Sequence, residues 1–353
     1  MEAGRKLRII VTVVLLAALI VGITLMGVYI KLPSEANYDE VWTETDAEGN
    51  STFDITEIES LEMDGDEFRI LQLTDLHYRA GYKIAKSDEL IRETVRLAEP
   101  DMIVITGDLV MATENNFYVE HVAELFSDIG IPWAVTYGNH DDEGRADKYY
   151  MGEIYENAAH SLYKNGPVNI GGTGNYAVNI TKNGQPFYSV IMMDSGTYID
   201  DYPEFSYGTF TAGQLYWYDR LQTGLLSAGY AHSLMFFHIP LPEYQIAFNE
   251  WEAKGSPAGE GTGERREEEC HSLVNSGMFN KIKELGATTD VFVGHDHVNN
   301  YSVRYKDVWL HYGVKSTRQV YHDDDMIGGK LITLTGENAE SAEVSVRDIL
   351  LPE

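Results

Sequence analysis

DVFVGHDHVNN (residues 290–300) carries an apolar run, Val291-Phe292-Val293, that stops at Gly294 and is followed at once by His295, Asp296 and His297. Residues two apart on an extended chain project to the same side, so two imidazoles are aimed at one place at the end of a buried strand. The arrangement recurs upstream. FRILQLTDLHY (68–78) closes its apolar run with Asp75-Leu76-His77, and DMIVITGDLV (101–110) with Gly107-Asp108. IPWAVTYGNHD (131–141) leads to Gly138-Asn139-His140-Asp141, and SLMFFHIP (233–240) leads to His238. Further β-rich runs stand at 188–196 and 308–313, and helical patterns cover Ser87–Ala98 and Tyr118–Ile129. Strands alternating with helices predict an α/β layered fold. Open α/β sheets bind ligands at the carboxyl ends of their strands. A lone histidine or Gly-Asp after a strand is ordinary turn chemistry, but five such endings in one chain point to a shared site.

In their order, DLH, GDL, GNHD, a single histidine and GHDH resemble the motif series of the calcineurin-like metallophosphoesterase superfamily, over about residues 68–335. FFHIPLPEY, VNSGMF and VFVGHDHVN look nearer to the group that includes a fungal cell-cycle phosphatase and plant purple-acid-phosphatase-like proteins. The resemblance implies a four-layer sandwich, two mixed β-sheets flanked by helices. It also implies two metal ions. Asp75, His77, Asp108 and His297 are expected to hold one, and Asp108, Asn139, His238 and His295 the other, with Asp108 bridging. The implied activity is hydrolysis of phosphomonoesters by a metal-bridging hydroxide. A phosphodiesterase or nucleotide hydrolase on the same site is the alternative, and a non-catalytic surface-binding protein is a third reading. None of the seven ligands is missing, which favours an enzyme.

Imidazole, carboxylate and amide oxygen together suit Fe, Mn or Zn better than Ca. His140 follows Asn139 but is spare in the ligand count. It is expected to donate to a phosphate oxygen or to protonate the leaving alkoxide, with Asp141 orienting its ring. Met111 stands where purple acid phosphatases carry a tyrosine ligand, so no tyrosinate-to-iron colour is expected.

Composition narrows the alternatives. The chain of 353 residues has a net charge of −30, which repels nucleic acid and anionic lipid, so no nucleic-acid partner is expected. With few cationic side chains, a phosphate-ester substrate needs metal ions for its counter-charge. The single cysteine, Cys270, excludes an internal disulfide framework and a cysteine-built zinc site. It lacks the arginine six residues on that a cysteine phosphatase needs, and no Gly-x-Ser-x-Gly elbow occurs.

At the N-terminus, Arg5, Lys6 and Arg8 precede an uncharged run over residues 9–30. At the helical rise this spans roughly 33 Å, enough to cross a bilayer core. The run predicts a transmembrane signal anchor after a cytoplasmic basic tail (1–8). An acidic stalk (31–67) then leads to an extracytoplasmic catalytic domain (68–353). The small-x-small site Ser34-Glu35-Ala36 offers the alternative of a secreted protein after cleavage. The Gly/Glu-rich stretch 252–269 predicts a mobile loop. Tyr207, Trp217 and Tyr244 are candidates for stacking on a substrate ring, and His311 and His322 for lining the pocket.

Overall fold

The computed structural model describes residues 11–19, 32, 57–81, 83–199 and 203–352. The strands are β1 (Ser60–Glu62), β2 (Glu67–Leu73), β3 (Met102–Thr106), β4 (Trp133–Thr136), β5 (Tyr176–Lys182), β6 (Gln185–Met192), β7 (Ser233–Phe236), β8 (Gly261–Thr262), β9 (Thr288–Val293), β10 (Ser302–Tyr305), β11 (Val308–Tyr312), β12 (Gly328–Thr335) and β13 (Glu343–Leu350). The helices are α1 (residues 11–19), α2 (Ile84–Ala98), α3 (Asn115–Ile129), α4 (Lys148–Glu156), α5 (Ala212–Ser227), α6 (Pro242–Ala253) and α7 (Met278–Leu285).

Two mixed sheets result. One has five strands in the order β13-β12-β2-β3-β4, the other eight in the order β1-β5-β6-β7-β9-β11-β10-β8. Every residue of β3 and β4 is buried, as expected for continuous apolar runs covered on both faces. Alternation along β7 shows how the layers form. Leu234 and Phe236 join the core shared with the five-stranded sheet, whereas Met235 joins a second core containing Trp217 and Leu221 of α5 and Phe248 of α6. Phe236 of β7 stacks on Phe292 of β9 at 4.7 Å between ring centroids. Burial of each such ring contributes roughly 1.5–3 kcal/mol. A capping box, Thr211 with Gln214, starts α5, and Pro242 opens α6.

The expected two-sheet architecture is therefore present. β2, β3 and β4 pair in parallel, as do β7 and β9, so their carboxyl ends gather at one edge of the sandwich.

Two expectations need correction. β1 pairs in parallel with β5, so the end of the predicted stalk is part of a sheet. The stretch 252–269 is tied down rather than mobile. β8 pairs with β10, the Arg265 guanidinium lies 4.4 Å over the Phe248 ring, and Arg266 reaches Asp323 (2.9 Å) and Asp325 (2.7 Å). Its composition suggested solvated charges, but both arginines have acids within reach. Among the described residues no helix is long and apolar enough to cross a membrane. α1 exposes Val11, Leu15 and Leu19, while the remainder of the predicted span 9–30 lies outside the described residues. So do the tail 1–8 and residues 33–56 of the expected stalk.

Candidate metal centre

The loops leaving β2, β3, β4, β7 and β9 converge. Asp75 Oδ1 lies 3.5 Å from His77 Nε2 and 3.3 Å from His297 Nε2, and these two nitrogens are 2.9 Å apart. Asp108 Oδ2 lies 3.2 Å from His238 Nε2, which is 3.2 Å from His295 Nδ1. The same Asp108 oxygen is 3.7 Å from His77 Nε2, so it stands between the two clusters. Asp75-His77-His297 and Asp108-His238-His295 are each compact enough to hold a metal ion, and all six side chains are buried. Each cluster draws on both sheets.

Local backbone makes this convergence possible. Asp75 (φ 56°), His77 (φ 50°), Asp108 (φ 51°) and His295 (φ 80°) all adopt positive φ, rare for residues with a Cβ. Each costs about 1–3 kcal/mol and turns its side chain out of the strand direction. The motif glycines permit close approach. A Cβ at Gly138 would strike the Asp108 carboxylate, and one at Gly294 the Thr74 hydroxyl.

Several observations fit these residues to cations. Asp75 Oδ1 and Asn139 Oδ1 are buried without hydrogen-bond partners, as oxygens awaiting a cation would be. The outer nitrogens of two histidines are engaged by backbone: His238 Nδ1 contacts the Thr106 carbonyl at 2.7 Å and His297 Nδ1 the Tyr321 carbonyl at 2.9 Å. Such contacts fix the tautomer that directs Nε2 inward. Burial pushes His77 and His295 down to about 3, leaving them neutral. Burial opposes ionisation of Asp75, but the His297 and His77 imidazoles beside its Oδ1 hold it well below the usual carboxylate range. Against burial, the Asp108 charge holds His238 up to about 9, and a cation in that cluster would replace its proton.

His140 borders the same cavity, of about 100 Å³, together with Tyr207 and Tyr321. Its backbone N–H donates to Asp108 Oδ1 at 2.9 Å, and its Nδ1 contacts Glu143 Oε2 at 2.9 Å. Burial lowers its basicity, but the Glu143 hydrogen bond together with the Asp108 and Glu143 charges outweighs this and holds the imidazole above its ordinary value.

Asp141 does not carry the expected role. Its carboxylate accepts the backbone N–H groups of Asp108, Leu109, Val110 and Gly138, tying the loop after β3 to the loop after β4. Glu143 is the residue sequence reasoning missed. A 3₁₀ turn over Asp141–Glu143 returns it to the side of His140, and the i, i+3 spacing was its available signal. Glu143 Oε1 also accepts from the Tyr198 hydroxyl (2.9 Å), which takes a hydrogen bond from Asn139 Nδ2 (2.9 Å).

Of the candidate ring-stackers, Tyr207 borders the cavity, edge-on to His295 at 4.4 Å, whereas Trp217 and Tyr244 are core residues. His311 is buried against Ser302 and Asp290, and His322 contacts the Val320 carbonyl, so neither lines the cavity.

A family model described as calcineurin-like phosphoesterase matches residues 68–299. The chain is similar to "Probable inactive purple acid phosphatase 14" of Arabidopsis thaliana, 29% identical over 286 residues that cover 69% of each protein. It is similar to "Phosphatase DCR2" of Saccharomyces cerevisiae, 29% identical over 287 residues covering 71% of this chain and 48% of the yeast protein. Among solved structures it is similar to a dimetal phosphatase from Danio rerio, with a TM-score of 0.49 and 12% identity, covering 80% of this chain and 98% of the other.

Proposed function

Because this chain belongs to the calcineurin-like phosphoesterase family, we propose that it hydrolyses phosphomonoesters at the centre formed by Asp75, His77, Asp108, Asn139, His238, His295 and His297. The observation that carries this reading is one carboxylate oxygen, Asp108 Oδ2, placed between two Asp/His clusters. When bound, two ions such as Fe, Mn or Zn offset the charge of a phosphate dianion and acidify the attacking water. The protein's own groups position and protonate. The Thr106 and Tyr321 carbonyls aim His238 and His297. His140, gripped through Nδ1 by Glu143, is left with Nε2 to deliver a proton to the leaving oxygen.

Two features favour monoesters. The cavity is small, and among the described residues no lysine or arginine lines it, so these offer no cationic arm to a second organic group. The test compares kcat/KM for an aryl phosphate, an aryl methyl phosphate diester and a nucleotide at one pH and one metal content. A clear diester preference would replace this reading with that of a phosphodiesterase. The word "inactive" in the Arabidopsis relative's name favours a second reading, a non-catalytic binder. Metal-loaded protein that turns over none of the three substrates would establish it.

Location is part of the proposal. The basic flank and uncharged run at 9–30 support a membrane anchor with the catalytic domain outside the cytoplasm, or secretion after cleavage. Protease added to intact cells should reach an anchored domain. Protection until lysis would overturn that placement.

A further inference from the structure

A cavity of about 580 Å³ lies between the start of α2 and the segments 318–319 and 351–352. Leu90 and Leu351 give it an apolar interior, while Lys83, Lys86 and Arg318 bring cationic groups to it. In a chain of net charge −30 this concentration is unusual. Among the described residues neither lysine's ammonium group has a hydrogen-bonded or ion-paired partner, and no side chain caps the N-terminus of α2. Two acids share the wall. Glu93 is paired with Arg96 at 2.6 Å and Arg318 with Asp324 at 3.0 Å, which leaves Lys83 and Lys86 facing Glu89 alone.

A second, independent observation points to a ligand. Gln319 is 1% exposed and lines the cavity. Its Nε2 donates to Ser87 Oγ at 2.9 Å, but its Oε1 has no partner. Because a serine hydroxyl can donate or accept, one polar atom of this amide lacks a partner whichever way it is turned. Buried amide atoms are rarely left so, and a group entering the cavity would satisfy it.

The same segment reaches the metal centre. Val320 follows Gln319 with φ 62°, a genuine outlier for a β-branched residue. Val320 and Tyr321 line the catalytic cavity. The Tyr321 carbonyl contacts His297 Nδ1, and the Tyr321 ring stacks on the His297 ring at 4.1 Å. Four consecutive residues thus have one end in each cavity, and the strained residue sits at the crossing.

We propose that the cavity beside α2 is a second ligand site. It takes a small organic anion with an apolar body and at least one hydrogen-bonding group, and its occupancy is coupled to the metal centre through residues 318–321. The anion meets Lys83 and Lys86, the apolar body packs on Leu90 and Leu351, and the hydrogen-bonding group meets Gln319. The coupling half rests on metal binding at the two clusters, not on catalysis.

The probe is 1-anilinonaphthalene-8-sulfonate, which has a sulfonate, aromatic rings and an N–H. Its fluorescence is titrated on the full chain in three forms: wild type, Lys83→Glu/Lys86→Glu, and Lys254→Glu/Lys306→Glu as a control of equal net charge. The expected result is saturable binding weakened about tenfold in the first variant and unchanged in the control. Loading wild type with Mn²⁺ should shift the dye's Kd at least about threefold, because coupling between two sites is reciprocal. Equal affinity in the two variants would overturn the site. A Kd untouched by Mn²⁺ would overturn the coupling. Neither readout requires turnover, so a protein inactive toward phosphate esters still decides both.

Discussion

Replacing Asp141 by Asn tests whether this carboxylate supports the loops or serves the chemistry. In the native structure its two oxygens accept four backbone N–H groups at 2.7–3.0 Å, from Asp108, Leu109, Val110 and Gly138. An asparagine keeps one acceptor oxygen and turns an NH₂ toward the other donors, so about two N–H groups lose their partner. Each buried donor left unsatisfied costs about 1–3 kcal/mol. Part of that is returned. Burial and the neighbouring Asp108 charge push the Asp141 carboxyl up to about 7, and the amide removes this unfavourable charge. The difference should be a net loss of about 2–3 kcal/mol. At roughly 2–4 °C per kcal/mol for domains of this size class, Tm should fall by about 5–10 °C. Calorimetry of wild type and variant, each metal-loaded and metal-stripped, reads this directly. A Tm within a degree of wild type, together with a turnover loss like that of His140→Ala, would return Asp141 to the imidazole and refute the loop argument.

Extensive chelation should abolish phosphatase activity, and added Mn²⁺ should restore part of it; full activity in metal-free protein would contradict a dinuclear centre. His140→Ala should retain its metals by elemental analysis yet lose about 10²–10⁴-fold in kcat, whereas Asp108→Ala should lose metal as well. Glu143→Gln should keep metal content and lower kcat by about 10–100-fold with little change in KM, as loss of an orienting partner does. A purely structural Glu143 would instead lower Tm and spare kcat.

Much of the fold was legible because the site-bearing strands are buried on both faces, so β3 and β4 appear as unbroken apolar runs with chemistry at their ends. The edge strands β13 and β1 carry no such signal. β13, EVSVRDIL, is only partly covered, and β1 is three residues long, so both depend on partners distant in sequence. The six Asp and His residues of the two clusters were legible by residue type and position. Their supports were not. Asp141 acts through backbone N–H groups, which every sequence possesses, and Tyr198 arrives from a loop well removed from Asn139. Aromatic residues proved ambiguous for the same reason. Tyr207 meets the cavity while Tyr244 spends its hydroxyl on the Val291 carbonyl inside the core. Charge misled at 252–269, where Arg266 finds Asp325 across 59 positions of chain.

Each cluster takes side chains from both sheets, Asp75 and Asp108 from one and His238, His295 and His297 from the other. A cation held there rivets the two halves of the sandwich. The sheets could not part there without releasing such an ion, so metal loading should slow global opening. The loaded molecule should then persist by slowness rather than by equilibrium stability, and its lifetime against proteolysis should follow the rate of ion loss.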